Sequence, residues 1–352
     1  MSAPLSFTTH LPTAESALLV IQQDRATPIV QTAIEAVKAA VEPIRPFLRL
    51  YTTAEMQRFA NILLELKEQI LHGICRDELE ALESVFKPGE KLQPKEAFDH
   101  LKTLCPEASC EEAKLPENFP FNRYGNILPY DFNRVKLRGY KESDYVSASR
   151  MALPTDYHCI AASAPEGDPE QLCRFLHMIL QEEVETIVVT TDDVEGFEDK
   201  CYPYWVDFEL EGYGVECRKE KKLADLGDYK ESLVKRTLLI KGPNGQKRSV
   251  EMLHLQNWPD FGAADPEIVK ALCLSITCME VQTTLYHCSA GVGRTGVVLG
   301  AYLGYRMMLR GEEINLLGLV QTMREQRAGM VQRECQLACI EKTLSLFLES
   351  SE

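Results

Sequence analysis

From about Leu11 to Cys110 the apolar residues fall at helical spacing. Ile29, Val30, Ala33, Ile34, Val37, Ala40 and Val41 share one face, and Pro43 and Pro46 then interrupt the pattern. Thr52 and Glu55 have capping-box spacing and open a helix predicted to run to about Leu71, with Met56, Phe59, Ile62, Leu63, Leu66 and Ile70 on one side. Two shorter helices are predicted over about Asp77–Phe86 and Pro94–Leu104, with Pro88 and Gly89 between them. The segment carries no repeat, no low-complexity tract and no motif with chemistry in it, and it reads as a small helical bundle or extension.

The texture changes after about Lys114. Pro116, Pro120 and Pro129 lie among aromatic residues, and short apolar runs at Thr186–Thr190, Thr237–Ile240, Val250–Leu255 and Thr283–Tyr286 read as strands. Pro-Asn-Gly at 243–245 reads as the turn of a hairpin between two of them. Helical patterns occupy Pro169–Gln181, Pro266–Glu280, Thr295–Arg310, Asn315–Gln326 and Glu334–Leu348. Pro169 and Pro266 suit a first helical position, where the missing N–H costs nothing. Strands interleaved with helices predict an α/β domain with a mixed sheet. The division from the helical region falls near Lys114–Pro116, giving an N-terminal region of 1–114 and a second domain of 115–352.

Length allows this two-part division: 352 residues exceed the usual size of one domain. A 45% hydrophobic and 26% charged composition is that of a globular chain. The net charge of −15 disfavours nucleic acid and anionic membranes, whose phosphates it would repel. No apolar run approaches the ~18 residues of a membrane span, and Met1–His10 lacks the basic flank and apolar core of a standard secretory signal. The 12 cysteines include no C-x-x-C pair, which argues against zinc ribbons and thioredoxin-like motifs and suggests free thiols in a reducing compartment, the cytoplasm.

Candidate chemistry sits where the strand Thr283–Tyr286 runs through His287, Cys288, Ser289, Ala290, Gly291, Val292, Gly293, Arg294, Thr295 and Gly296 into a helix. Cys-x5-Arg alone is weak: with 12 cysteines and arginine near ~5% frequency, chance supplies about half a match. Its context makes it strong. Gly291 and Gly293 let backbone N–H groups converge on an anion, and the helix N-terminus adds its dipole. The same field favours a thiolate, so Cys288 is expected to be nucleophilic near neutral pH and prone to oxidation. Arg294 can grip two phosphate oxygens bidentately, and the Thr295 hydroxyl can donate to the thiolate.

His287–Gly296 resembles the HC-x5-R-[ST] signature loop of the phosphotyrosine-specific protein tyrosine phosphatases, and the resemblance extends over about Phe119–Leu348. Asn257-Trp258-Pro259-Asp260-Phe261-Gly262 is similar to the family's mobile acid loop. The resemblance makes Asp260 the general acid that protonates the leaving phenolate, with Trp258 and Pro259 carrying the loop and Phe261 lining the substrate side. Asn122-Arg123-Tyr124 with Ile127–Asp131 and Arg134–Leu137 resembles the segment whose tyrosine walls a pocket too deep for phosphoserine, implying that role for Tyr124 and peptide contact for Asn126. Met323–Gln332 and then Gln336 resemble the glutamine loop, so Gln332 would hold the attacking water and Gln336 assist. Asp144–Ser149 is similar to the DYINAS stretch. Glu195 to Cys201 with Tyr204-Trp205 is similar to the loop in which the family's glutamate pairs with the signature arginine. That makes Glu195 the candidate partner of Arg294, and Lys200 a candidate contact of Asp260.

The implied fold is a mixed twisted sheet flanked by helices, preceded here by the helical N-terminal region. The implied reaction is double displacement on protein phosphotyrosine. Cys288 attacks phosphorus, Arg294 and the amides of Ser289–Gly293 hold the phosphoryl oxygens, and Asp260 acts as acid and then base. Gln332 orients water, and His287 orders the loop. It needs no metal or cofactor. A dual-specificity or lipid phosphatase is the alternative enzyme, but none of the five residues between Cys288 and Arg294 is basic, as lipid-directed relatives tend to have. The alternative of another class is a pseudophosphatase that captures phosphotyrosine without turnover; the complete set of Cys288, Arg294, Asp260 and Gln332 argues against it.

The chain departs from the family's pattern in places. Asn126 stands where an aspartate usually anchors the substrate backbone, and Gly125 stands where a side chain often reads flanking residues. Ala162-Ser163-Ala164-Pro165 replaces a Thr-Gln-Gly-Pro stretch, and Ser147 replaces the Asn of the NAS stretch, which puts the supports of the loop in question. The acidic surface is expected to weaken binding of acid-flanked phosphopeptides unless Arg123, Arg134 or Lys200 line the rim. The N-terminal region does not resemble SH2, FERM or PDZ modules. In architecture it resembles the secreted bacterial effector phosphatases, which implies a chaperone or targeting partner and secretion into a host cell.

Overall fold

The computed structural model describes Lys95, Phe98, Asp99, Leu101 and residues 108–140, 143–153, 157–224, 231–258, 262–279, 283–312 and 314–349. The helices expected over 29–41, 52–71 and 77–86 lie outside them. Within the one expected over 94–104, the four described residues are helical, with Phe98 and Leu101 buried. The chain divides into two compact units, one of Met1–Lys91, Arg306–Ile314 and Leu348–Glu352, the other of Leu92–Tyr305 and Asn315–Phe347. The second unit carries the sheet and the site.

Its elements run α1 (Glu111–Lys114), a single 3-10 turn (Phe119–Phe121), β1 (Arg134–Lys136), β2 (Tyr145–Met151), β3 (His158–Ala162), α2 (Pro169–Gln181), β4 (Thr186–Val189), β5 (Val194–Glu195) and β6 (Glu198–Asp199). There follow β7 (Phe208–Leu210), β8 (Tyr213–Ala224), β9 (Ser232–Lys241), β10 (Lys247–Gln256), α3 (Pro266–Thr277), β11 (Thr283–His287), α4 (Gly293–Leu309), α5 (Leu316–Gln326) and α6 (Glu334–Glu349). Nine strands form one sheet in the order β1-β2-β3-β11-β4-β10-β9-β8-β7, and β5 pairs with β6 in a separate hairpin. The centre β3-β11-β4-β10 is parallel and both flanks are antiparallel, so the sheet is mixed as expected.

Local chemistry explains the element ends. Asp168 accepts the Gln171 N–H at 2.9 Å and Asp265 accepts the Glu267 N–H at 2.9 Å, each just before a proline in the first helical turn. Asn315 caps α5 through the Gly318 N–H. The 243–245 turn joins β9 to β10, with Gly245 at φ +74°, a conformation open mainly to glycine. The strands β1, β2 and β8 carry buried polar or exposed charged positions that hide the usual alternation, β3 is buried at four consecutive positions, and β7 is only three residues long, so periodicity does not single them out.

One face of the sheet is covered by α2, whose Leu172, Phe175, Leu176, Met178 and Ile179 meet Ile187, Val189, Leu238, Met252 and Leu285 in one core. A fully buried side chain of this size contributes roughly 1.5–3 kcal/mol, and truncating Leu176 to alanine would cost about 2–5 kcal/mol. Elsewhere, Gly296, Gly300 and Gly304 form a one-sided stripe on α4. A Cβ on Gly300 would sit 3.0 Å from Ile340, and one on Gly304 2.8 Å from Leu344, so the stripe sets how closely α6 approaches.

Two buried histidines brace the end of the sheet that carries the site. His254 on β10 receives a hydrogen bond from Arg236 at 2.9 Å and donates to the Thr191 carbonyl at 2.8 Å. Burial pulls its pKa down to about 3 and that of His287, on β11, down to about 4. Unfolded histidine titrates near ~6.5, so as pH falls the unfolded chain takes up these protons first. The stability contributed by the neutral rings is therefore complete above ~6.5 and drains away as pH falls toward about 4 and about 3. Urea unfolding at pH 7 and pH 5 should show the parent losing roughly 2 kcal/mol more than His254→Gln over that interval. Equal losses would remove His254 from this account.

Candidate active site

The loop 288–292 leaves β11 at the middle of the parallel strands and enters α4 at Gly293, so a turn at the strand ends meets a helix N-terminus. Cys288 is 5% exposed, and its Sγ accepts the Gly291 N–H at 3.2 Å. Gly291 has φ +70°, and a Cβ there would lie 1.9 Å from the Ala162 carbonyl oxygen, so no other residue fits. The expected Thr295–Cys288 hydrogen bond is not formed. Thr295 Oγ1 is buried and has no protein partner among the described residues, while the sulfur is taken by the Gly291 amide.

Each carbonyl of the loop is held from outside. His287 C=O accepts from Thr190 N–H at 3.1 Å, and Ser289 C=O from Ala164 N–H at 2.9 Å. Cys288 C=O accepts from His287 Nδ1 at 3.2 Å. That assignment leaves His287 Nε2 to accept from the Tyr204 hydroxyl at 2.7 Å. A fully buried ring bound at both nitrogens orders the backbone rather than moving protons. Val292 C=O accepts from both Gly296 N–H and Val331 N–H, at 3.0 and 3.1 Å.

The remaining carbonyls belong to Arg327, which sequence reasoning did not single out. Its Nε donates to Gly291 C=O at 3.0 Å and its Nη2 to Ala290 C=O at 3.1 Å. The same guanidinium reaches Ser149 Oγ and Ser163 Oγ, at 3.3 and 3.2 Å. It is completely buried; burial lowers its pKa to about 10, and it stays charged at neutral pH. Ser163 Oγ also donates to Ala290 C=O and meets Ser147 Oγ, both at 3.2 Å. The two serines that depart from the family's pattern thus belong to the loop's support. The signal that could have found Arg327 is an arginine in an otherwise apolar, glycine-containing turn three residues after another arginine.

Arg294 points to a partner of its own. Its Nη2 donates to Glu195 Oε2 at 2.6 Å and its Nη1 to Glu195 Oε1, a bidentate pair, with Thr190 C=O at 3.3 Å from Nη1. Burial pushes the Glu195 carboxyl up, but the Arg294 guanidinium and the Thr191 hydroxyl outweigh it and hold it below the ordinary range. The β5–β6 hairpin therefore sets the guanidinium plane. Lys200, also buried, pairs with Glu198.

Tyr124 is brought to the loop through a hydrogen bond of its hydroxyl with Ser289 Oγ at 2.8 Å. Its segment is tied down by Arg123, which donates to the carbonyls of Ala164, Asp199 and Pro165 at 3.1, 2.8 and 3.2 Å. Asn126 is exposed beside it. On the opposite side, a Cβ on Gly293 would lie 2.7 Å from Gln332 Oε1 and 3.0 Å from Gln336 Nε2, which places both glutamines against the loop. Gln336 Oε1 accepts the Gln332 and Arg333 amides, so it positions Gln332. Val331 before it has φ +60°, a strained conformation for a β-branched residue, secured by its N–H to Val292 and by Arg324 on its carbonyl.

Pro259, Asp260 and Phe261 lie outside the described residues. The segment's ends are anchored: Asn257 N–H donates to Asp192 at 2.9 Å, and buried Trp258 donates through Nε1 to Gly262 C=O at 3.3 Å. Among the described residues no group of three or more His, Cys, Asp or Glu could hold a metal ion.

A family model described as protein-tyrosine phosphatase matches residues 118–345. With that span covering well over half its length, the chain belongs to the protein-tyrosine phosphatase family. Receptor-type tyrosine-protein phosphatase alpha of Homo sapiens is 34% identical over 262 residues, covering 71% of this chain and 32% of that protein. Tyrosine-protein phosphatase non-receptor type 20 of Homo sapiens is 30% identical over 233 residues, 63% of this chain and 53% of its own length. Non-receptor type 2 of Mus musculus is 30% identical over 242 residues, 64% and 56% of the two chains. The chain thus spans from about a third to just over half of these relatives.

Replacing Arg327 by methionine leaves the Gly291 carbonyl without its donor and the Ser149 hydroxyl without this partner, and leaves the Ala290 carbonyl and the Ser163 hydroxyl with serine contacts alone. The expected loss is ~3 kcal/mol in urea unfolding at unchanged m-value. A loss under ~1 kcal/mol would mean that the loop holds its shape without this residue.

Proposed function

We propose that the chain hydrolyses phosphotyrosine in proteins through a cysteinyl-phosphate intermediate. The observation that carries this reading is the convergence, around one helix N-terminus, of Cys288, Arg294 locked by Glu195, and Tyr124 over Ser289. The Cys288 thiolate attacks phosphorus in line. The S–P bond forms as the P–O bond to the phenol breaks, and Asp260 gives its proton to the leaving oxygen. Arg294 and the amides of Ser289, Ala290, Gly291, Val292 and Gly293 hold the three equatorial oxygens. Gln332, seated by Gln336, holds a water whose proton passes to Asp260 as its oxygen attacks phosphorus. Inorganic phosphate leaves and the thiolate is restored. The unpartnered Thr295 hydroxyl is free to donate to that thiolate as it returns. Tyr124 sets the depth of the pocket, Asn126 and Phe261 contact substrate, Trp258 and Pro259 carry the acid, and Lys200 contacts Asp260.

The division into a helical N-terminal region, 1–114, and a catalytic domain, 115–352, belongs to the same proposal, with the N-terminal region serving targeting, chaperone binding or regulation. No helix among the described residues is long and apolar enough to cross a membrane. Action in a reducing cytoplasm, including that of a host cell after secretion, fits the free cysteines, of which Cys288 is one.

Purified protein in reductant is expected to release phosphate from a phosphotyrosine peptide, with Cys288→Ser abolishing turnover. No release by the parent would leave a phosphotyrosine-capturing protein as the better reading. Asp260→Ala should keep the parent's affinity for the peptide while kcat falls by roughly 100-fold or more. Unchanged kcat would take Asp260 out of the mechanism.

A further inference from the structure

On the sheet, at some distance from the loop, a cavity of about 330 Å³ is lined by Lys219, Lys221 and Leu223 of β8, Lys235 and Thr237 of β9, and Glu251 of β10. Lys235 is paired with Glu251 at 3.0 Å, and Thr237 donates to the same carboxylate at 2.9 Å. Lys219 and Lys221 are exposed, and among the described residues neither has a carboxylate within ion-pair distance. Two uncompensated ammonium groups therefore stand side by side on a chain whose net charge is −15.

The cations nearer the loop are already engaged. Arg294 is held by Glu195, Lys200 by Glu198, Arg134 by Glu112 and Asp144, and Arg123 by three carbonyls. Arg294, Lys200 and Arg134 are thus paired with carboxylates of the protein itself.

The strand register gives the lysines a defined position relative to the nucleophile. Lys221 lies opposite Lys235, Lys235 opposite Leu253, Leu253 opposite Val188, and Val188 opposite Tyr286, two residues before Cys288. Lys221 thus stands level with the end of β11 from which the loop emerges, and Lys219, whose row runs through Thr237, Glu251 and Thr186 to Thr284, stands two residues further back; both are four strands away from β11. At ~4.8 Å per strand this is roughly 19 Å across the sheet, the length of about six extended residues at ~3.3 Å each.

We propose that Lys219 and Lys221 form a second substrate contact, which takes an acidic run about six residues from the phosphotyrosine. This rests on the phosphatase reading above. The occupant is an acidic peptide segment because two exposed ammonium groups beside an aliphatic Leu223 ask for carboxylates on a flexible chain. The site acts on KM through encounter and residence and leaves the chemical step untouched.

The test uses the full chain with four substrates: a small aryl phosphate, a phosphotyrosine peptide with neutral flanks, and two matched peptides. One of these carries three acidic residues five to seven positions before the phosphotyrosine, the other the same run after it. For one of the acidic peptides the parent should show a KM three- to tenfold below that of the neutral peptide at low salt, shrinking as salt is added. Lys219→Glu/Lys221→Glu should erase that advantage, Lys219→Arg/Lys221→Arg should keep it, and neither should move kcat/KM for the aryl phosphate beyond twofold. Affinities of the same peptides for the Cys288→Ser protein, parent and charge-reversed, give the same comparison without turnover. Acidic peptides no better than neutral in either orientation, or an advantage that survives charge reversal, overturn the site. Failure of the parent on every substrate, aryl phosphate included, would instead fall on the phosphatase reading, and the affinities would still decide the lysines.

Discussion

A loop that turns its amides inward toward an anion must turn its carbonyls outward into the protein, and buried carbonyls need donors. That single requirement organises the site. From His287 to Val292 every carbonyl has a partner, drawn from β3, the end of β4, the imidazole of His287 and the turn after α5. The donors come from segments far apart in sequence, so the sheet order, which puts β3 and β4 on either side of β11, is what makes the loop possible. Arg327 is the strongest of these ties because one planar group serves two carbonyls and two hydroxyls at once.

The same logic explains the substitutions that set this chain apart from the family's pattern. Ser147 and Ser163 are small, yet buried between Arg327 and the loop their hydroxyls complete the network. A different residue set thus meets the same accounting of donors and acceptors. The two guanidiniums of the site also divide the work. Arg327 binds the loop's carbonyls and shapes it, whereas Arg294 is aimed by Glu195, whose bidentate pairing fixes the guanidinium plane.

Charge is distributed with equal selectivity. The arginines around the site are spent on carbonyls and carboxylates within the fold, in a chain of net charge −15. An anion site survives in that field because it is local: a helix N-terminus, converging amides and one oriented arginine act over a few ångströms, where screening and the remote charges matter least.

Much of the architecture was legible from local signals. Proline-opened helices such as Pro169–Gln181, the strand feeding Cys288, the 243–245 turn and the Glu195–Arg294 pair could be read from periodicity, turn chemistry and family resemblance, because each is encoded by neighbouring residues or by a recurring motif. The strands β2 and β8 could not, since their polar residues face partners supplied by other segments and so break the alternation that marks a strand, and β3 could not because four consecutive buried residues leave no alternation to read. Arg327, Ser149 and the His254–Arg236 brace were invisible for the same reason: their chemistry is ordinary until the fold brings their acceptors to them. The sequence by itself determined which residues could carry nucleophilic chemistry on a phosphate. Only the tertiary structure decided how that loop is held open, because the donors that satisfy its carbonyls converge from strands and turns that no spacing along the chain connects.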